Sequence, residues 1–209
     1  MLVDTPHGPA RVQLEELRRP RGLLVLGHGA GGGVTARDLV TAAEAAQRAG
    51  ASVALVEQPY RVAGRRSPAP ARQLDEAWLA VVERLSEGHL PLVVGGRSAG
   101  ARVACRTAAA TGAAGVICLA FPLQPARAGS ASRLPELDAV AVPVLVVQGR
   151  SDPFGMPPPA PGRTVVQLNG DHSLRTDLPA LAAAIEAWLP SVLSPSRGRR
   201  TASSSPSRS

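Results

Sequence analysis

The segment Gly95-Gly96-Arg97-Ser98-Ala99-Gly100-Ala101 holds a serine in the pattern G-x-S-x-G. It lies between an apolar run, Leu92 to Val94, and a small-residue segment of helical character, Ala99 to Ala110. A strand, a tight turn and a helix in that order make a nucleophile elbow, in which small neighbours let backbones approach a strained serine. A serine hydroxyl becomes a useful nucleophile only when a base takes its proton and a third group orients the base. Four histidines could serve. His7 precedes every expected core element, His89 lies before Pro91 on the wrong edge of a sheet, and His28 belongs to a glycine loop. His172, in Asn169-Gly170-Asp171-His172-Ser173, follows the last expected strand and precedes the last helix, so elimination leaves it as the base. The orienting acid should follow an intervening strand, and Asp152 does so in Gly149-Arg150-Ser151-Asp152-Pro153. Asp171 competes, but an immediate neighbour rarely curls back onto the histidine ring.

A fourth loop, Gly27-His28-Gly29-Ala30-Gly31-Gly32-Gly33, follows the first core strand. In an acyl-transfer site it would supply one oxyanion donor, the Ala30 N–H, while Ala99, directly after the serine, supplies the other. The same loop has a rival reading. Gly27-x-Gly29-x-x-Gly32 matches a dinucleotide fingerprint, and Glu57 ends the next strand where a ribose-binding acid would stand. That reading leaves Ser98, Asp152 and His172 unexplained. Three residues are candidates for lining a substrate pocket: His28, Arg97 inside the elbow, and Tyr60 after a strand. For Arg97 the alternative is an ion pair with a nearby acid.

These loops need a scaffold that brings them to one edge. Apolar runs Gly22–Leu26, Ser52–Val56, Leu92–Val94, Gly115–Phe121, Val144–Gln148 and Thr164–Leu168 read as strands. Helical segments Arg37–Arg48, Leu74–Leu85, Ala99–Ala110 and Leu178–Leu189 alternate with them, the last capped by Thr176 and closed by Pro190. Continuous Val/Ile/Leu strands between helices predict an α/β fold with a mostly parallel sheet covered on both faces. Ligands bind such sheets beyond the carboxyl ends of the strands, which is where all four loops fall. Arg11–Leu14 is expected to add an edge strand. Arg102 and Arg106, spaced i, i+4, predict a solvated or acid-paired helix face, and Trp78 and Trp188 predict core positions.

Composition narrows the chemistry. All 23 basic residues are arginine, against 16 acids in 209 residues. Without lysine there is neither a Walker-type phosphate loop nor a Schiff base. No His/Cys/Asp cluster has metal-ligand spacing, and no cofactor is expected. The net charge of +7 suggests nucleic acid until its distribution is read: Arg197, Arg199, Arg200 and Arg208 belong to a Ser/Pro/Arg-rich tail, 191–209, that lacks acids. That tail is expected to be disordered, leaving residues 1–190 as one nearly balanced domain. No apolar run approaches the roughly 20 residues of a membrane span, and Met1 to Glu16 contains no apolar signal region. Cys105 and Cys118 sit in apolar segments and read as buried thiols. A cytoplasmic protein acting on a small acyl substrate is the expectation, with no membrane or nucleic-acid partner for the body.

The segments GHGAGGG, GGRSAGAR, VVQGRSDPFG and GDHSL together resemble the small α/β-hydrolases of the dienelactone-hydrolase-like group. More narrowly they resemble the branch that includes testis-expressed protein 30 and NSL complex subunit 3. The chain order Ser98, Asp152, His172 is that of the α/β-hydrolases. The resemblance covers residues 20 to 190 and implies Ser98 as nucleophile, Asp152 as acid and His172 as base. Two departures stand out. Ala99 occupies a position where many relatives carry methionine, and Pro153 to Arg163 is proline-rich where relatives usually have a helix. Only about 20 residues link Phe121 to Val144, so a minimal hydrolase without a large cap is expected. The resemblance also implies an alternative, a weakly active or inactive hydrolase scaffold.

Overall fold

The computed structural model describes residues 1–86, 90–125 and 129–194. The expectations for His89 and for the tail from residue 195 onward lie outside these residues. In chain order the strands are β1 (Leu2–Val3), β2 (Ala10–Glu15), β3 (Gly22–Gly27), β4 (Ala51–Glu57), β5 (Leu92–Arg97), β6 (Gly115–Leu119), β7 (Val144–Gly149) and β8 (Arg163–Leu168). The helices are α1 (Arg37–Arg48), α2 (Pro59–Val62), α3 (Ala71–Leu85), α4 (Ala99–Thr111), α5 (Leu134–Asp138) and α6 (Leu178–Leu193). They build one eight-stranded sheet in the order β1-β2-β4-β3-β5-β6-β7-β8. From β4 to β8 every neighbouring pair is parallel, and the expected edge strand β2 pairs antiparallel with β4. The minimal α/β-hydrolase fold expected from the sequence is the fold observed.

Strand residues alternate between two cores because successive side chains point to opposite faces. Leu24, Leu26, Val93, Ile117, Leu145 and Val147 face one side, where α1 and α6 cover them through Leu39, Leu181, Ile185 and Leu189. Val25, Val94, Val116, Cys118 and Val146 face the other, covered by Trp78 and Val81 of α3 and by Val103 and Cys105 of α4. Burial on both faces is why these strands read as unbroken apolar runs.

Three local expectations are corrected. Strand β6 stops at Leu119 rather than Phe121, because Ala120 turns to φ 50° while its N–H bonds Val147 O at 2.9 Å. Asp177, not Thr176, caps α6, accepting from the Ala180 N–H at 3.3 Å. Pro190 does not end that helix, which runs on to Leu193. Leu193 is buried against Gly22, so packing holds the last turn although proline supplies no N–H there.

Candidate active site

Strand β5 delivers Ser98 directly to the first residue of α4, and the serine takes φ 51°, ψ −107°. A non-glycine residue at positive φ is strained, at a cost on the order of 1–3 kcal/mol, and persists only where its surroundings impose it. The flanking glycines show what imposes it. A Cβ on Gly96 would stand 2.5 Å from Gly27 O, and one on Gly100 would stand 2.4 Å from the same oxygen. The elbow is therefore pressed against the end of β3. The Ser98 N–H bonds Leu119 O at 2.9 Å, tying the turn to β6 as well.

The structure brings the three residues singled out as nucleophile, base and acid together. His172 Nε2 lies 3.0 Å from Ser98 Oγ, and its Nδ1 lies 2.8 Å from Asp152 Oδ2. A carboxylate only accepts, so Nδ1 carries the proton and Nε2 is free to accept from the serine hydroxyl. The Asp152 side chain is 1% exposed. Its charge is met by three donors: His172, the Phe154 N–H on Oδ1 at 2.9 Å, and Gln148 Nε2 on Oδ2 at 2.8 Å. The Phe154 ring stands edge-on to the imidazole, with centroids 4.6 Å apart. Asp171 is not involved. Exposed, it accepts from the Ser173 N–H and hydroxyl, bonds that hold its carboxyl below the usual range. The proline-rich stretch after Asp152 forms no helix before β8, yet Gln148 and Phe154 fix the acid without one.

The loop Gly27–Gly33 is held from beneath. His28 is 3% exposed; its Nε2 accepts from the Gln58 N–H at 3.1 Å, so Nδ1 carries the proton and donates to Gly29 O at 2.8 Å. Burial pushes its pKa down, which keeps the ring neutral. The Tyr60 hydroxyl donates to Ala30 O at 3.0 Å, and burial pushes its pKa up. Both residues border a narrow gap that Ala99 and Gly100 also line, and Tyr60 borders a second cavity with His7 and Ala69. The polar atoms of these two candidate pocket residues are engaged by backbone, His28 by Gly29 and Gln58 and Tyr60 by Ala30. The Ala99 N–H, at the first position of α4, has no intrahelical acceptor. Among the described residues the Ala30 N–H likewise bonds no carbonyl. Neither expected oxyanion donor is thus committed to a backbone carbonyl.

Arg97 takes the ion-pair alternative. Its Nε lies 2.7 Å from the buried Asp38 Oδ2, and its Nη2 donates to His172 O at 3.1 Å. Sequence reasoning missed Asp38, which sits in the first turn of α1 without any motif. It also missed Gln148, although a polar residue closing the apolar run Val144–Val147 was a usable signal. The dinucleotide reading loses its acid, because Glu57 is engaged by Arg11 at 2.7 Å, and α1 opens at Arg37, well past Gly32. Among the described residues no group of three or more His, Cys, Asp or Glu side chains is placed to hold a metal ion, and no helix is long and apolar enough to cross a membrane.

Several solved structures share this fold. Protein XC6422 of Xanthomonas campestris, described as an α/β serine hydrolase without lid, superposes with a TM-score of 0.75 at 20% identity, covering 94% of this chain and 95% of that one. Est1E of Butyrivibrio proteoclasticus, solved with ferulic acid, gives 0.77 at 16% identity over 93% and 100% of the two chains. Dienelactone hydrolase of Anabaena variabilis gives 0.72 at 17% identity over 90% and 94%. At such identities the likeness is one of fold. No curated protein sequence matches the chain. Residues 20–177, well over half of the sequence, do match the family model described as the alpha/beta hydrolase domain, and the chain belongs to that family.

Proposed function

We propose that the protein is a serine hydrolase that cleaves a small ester, thioester or lactone through an acyl-enzyme on Ser98. The observation that carries this reading is the hydrogen-bonded series Ser98–His172–Asp152, at 3.0 and 2.8 Å, with the serine strained at φ 51°. His172 Nε2 takes the hydroxyl proton as Ser98 Oγ bonds to the substrate carbonyl carbon. Asp152 holds the tautomer and stabilises the imidazolium. The carbonyl oxygen becomes an oxyanion facing the Ala30 and Ala99 N–H groups; one such donor is worth about 3–4 kcal/mol in the transition state. Collapse breaks the bond to the leaving group, which receives the proton from His172. Water then repeats the sequence in reverse and frees the acid and Ser98.

Within the family, the runs GHGAGGG, GGRSAGAR, DPFG and GDHSL support a place in the dienelactone-hydrolase-like group, in the branch resembling testis-expressed protein 30 and NSL complex subunit 3. The ferulic acid bound to Est1E and the lactone in the name of the Anabaena variabilis relative fit the substrate classes proposed. A complete, aligned triad favours an active enzyme over an inert scaffold. Cys105 and Cys118 are free thiols with sulfurs 3.5 Å apart, which suits a reducing compartment such as the cytoplasm. A fluorophosphonate probe tests the reading: wild type is labelled and Ser98→Ala is not. An unlabelled wild type, or equal labelling of both, overturns it.

A further inference from the structure

The residue before the nucleophile makes contacts that the acyl-transfer steps do not use. Arg97 ends β5, yet its side chain is only 18% exposed and runs back along the site instead of into water. Its guanidinium meets three separate pieces of the chain. Nε lies 2.7 Å from Asp38 Oδ2 on α1, and Nη2 donates to His172 O at 3.1 Å. Nη1 fills the space beside Gly29, 2.8 Å from where a Cβ there would stand; the Ser98 Cβ lies 3.5 Å from the same point. One planar group thus spans the oxyanion loop, the turn that carries the base, and the helix behind them.

Stability does not account for the pair. Replacing a buried ion pair by packed apolar side chains is often neutral or stabilising, and burial here pushes the Asp38 carboxyl up from its usual range. The Asp38 carboxylate is held from two sides: Oδ1 accepts from the Leu39 N–H at 3.0 Å, and Oδ2 faces Arg97 Nε at 2.7 Å. What the pair does supply is orientation. A guanidinium is a rigid fork of five donors, and a carboxylate against one edge fixes where the other edge points. That other edge holds the peptide after His172. The imidazole is oriented by Asp152, but the peptide that carries it lies in a turn outside any helix or strand.

We propose that Arg97 is a positioning residue for the hydrolysis, oriented by Asp38, that holds the His172 turn and the Gly27–Gly33 loop in register with Ser98. The proposal rests on the hydrolase reading. It assigns Arg97 no contact with substrate, and it makes the guanidinium shape, not the charge alone, the requirement.

The test compares wild type, Arg97→Lys, Asp38→Asn and Ser98→Ala, with folding checked by circular dichroism. Labelling of wild type but not Ser98→Ala by a fluorophosphonate reports the hydrolase reading separately. Misplacing reacting groups by about 1 Å costs on the order of 10²-fold in rate. Arg97→Lys should therefore lose about 10- to 100-fold in kcat on p-nitrophenyl acetate with little change in KM, and Asp38→Asn should move the same way. The proton resonance of His172 Nδ1, followed by NMR in ¹⁵N-histidine protein, should broaden or shift in Arg97→Lys. This readout reports the placement of His172 separately from the labelling, so failure of the hydrolase reading and failure of the Arg97 role are told apart. An unaltered resonance overturns the proposal. So does a wild-type kcat in Arg97→Lys, or a KM rise confined to esters that bear a carboxylate, which would make Arg97 a substrate-binding cation.

Discussion

At the level of single residues, the site depends on polar atoms with no spare partners. Gln148 Nε2 faces three acceptors, Phe121 O at 3.0 Å, Asp152 Oδ2 at 2.8 Å and Gly155 O at 2.9 Å, so the amide can only be oriented with its NH₂ inward. Gln148→Leu keeps the volume but strips that donor from the acid and from the part-buried Gly155 O, while Phe121 O keeps the Leu123 N–H at 2.9 Å; an unmet buried acceptor costs about 1–3 kcal/mol. The substitution should lower the urea midpoint and cut kcat about 10- to 100-fold, by the same misplacement argument. Asp152→Asn, which disturbs the tautomer itself, should cost about 10⁴-fold. Steady-state kinetics on p-nitrophenyl acetate ranks the two, and the reverse order would count against Gln148 acting through Asp152. His28 makes a pH prediction. Its folded pKa lies below the ordinary 6.5 because the ring is buried. Between those two values the unfolded chain binds the extra proton, so this contribution to stability is complete above pH 6.5 and is lost as pH falls towards the folded pKa. The loss cannot exceed about 1.4 kcal/mol per pH unit for one proton. Urea unfolding at pH 5, 6, 7 and 8 should show this slope in wild type and its absence in His28→Gln.

At the level of elements, how much the sequence reveals follows the range of the forces involved. Strands buried on both faces announce themselves as Val/Ile/Leu runs, and α1 is bounded by its own periodicity, so β3 to β8 and the main helices were legible. The one-turn helices α2 and α5 and the two-residue β1 are too short to carry a period. The last turn of α6 exists because Leu193 packs on Gly22, a contact between opposite ends of the domain. The site divides in the same way. Ser98, Asp152 and His172 each follow a strand and could be placed by topology, whereas Asp38 and Gln148 matter through contacts with distant segments. One such contact is testable. A Cβ on Gly149, at the end of β7, would stand 2.3 Å from Asp171 O and 2.6 Å from Gly170 O. Gly149→Ala must push the 170–172 turn outward, carrying His172 off the Asp152–Ser98 line. Overpacking of this kind costs about 1–3 kcal/mol, and kcat should fall with it. Gly112→Ala is the control: at φ 64° it is strained by about 1–2 kcal/mol, but its Cβ meets nothing within 4 Å. Both variants should lower Tm, but only Gly149→Ala should lower kcat; equal kcat values would show that the turn absorbs the methyl group without moving His172.

At the level of the whole molecule, the described part of the segment between β6 and β7, where a lid would be inserted, packs its helix α5 beside the sheet. Its helix α5 is tied to the flanking helices: Glu136 pairs with Arg102 at 2.5 Å and with Arg106 at 3.5 Å, and Arg106 pairs with Asp75 of α3 at 2.6 Å. Leu137 is buried, and Asp138 pairs with Arg163 at the start of β8 at 2.5 Å. A wide groove between Leu90, Pro91, Ala114, Pro143 and Val192 lies at the amino ends of the strands, the edge opposite Ser98. An open site makes a quantitative claim about acyl-chain preference. In a pocket that fully encloses the chain, each buried methylene contributes about 0.8 kcal/mol, roughly a fourfold gain in kcat/KM. Across p-nitrophenyl acetate, butyrate, hexanoate and octanoate an enclosing pocket would therefore give a steep exponential rise. Here kcat/KM should change far less than fourfold per methylene. For the same reason the rate should follow a simple hyperbola as the longer esters pass their solubility limit, because the described residues form no lid for an interface to open. A steep rise with chain length, or a jump in rate at the onset of aggregation, would mean that a segment closes over Ser98 when substrate is bound.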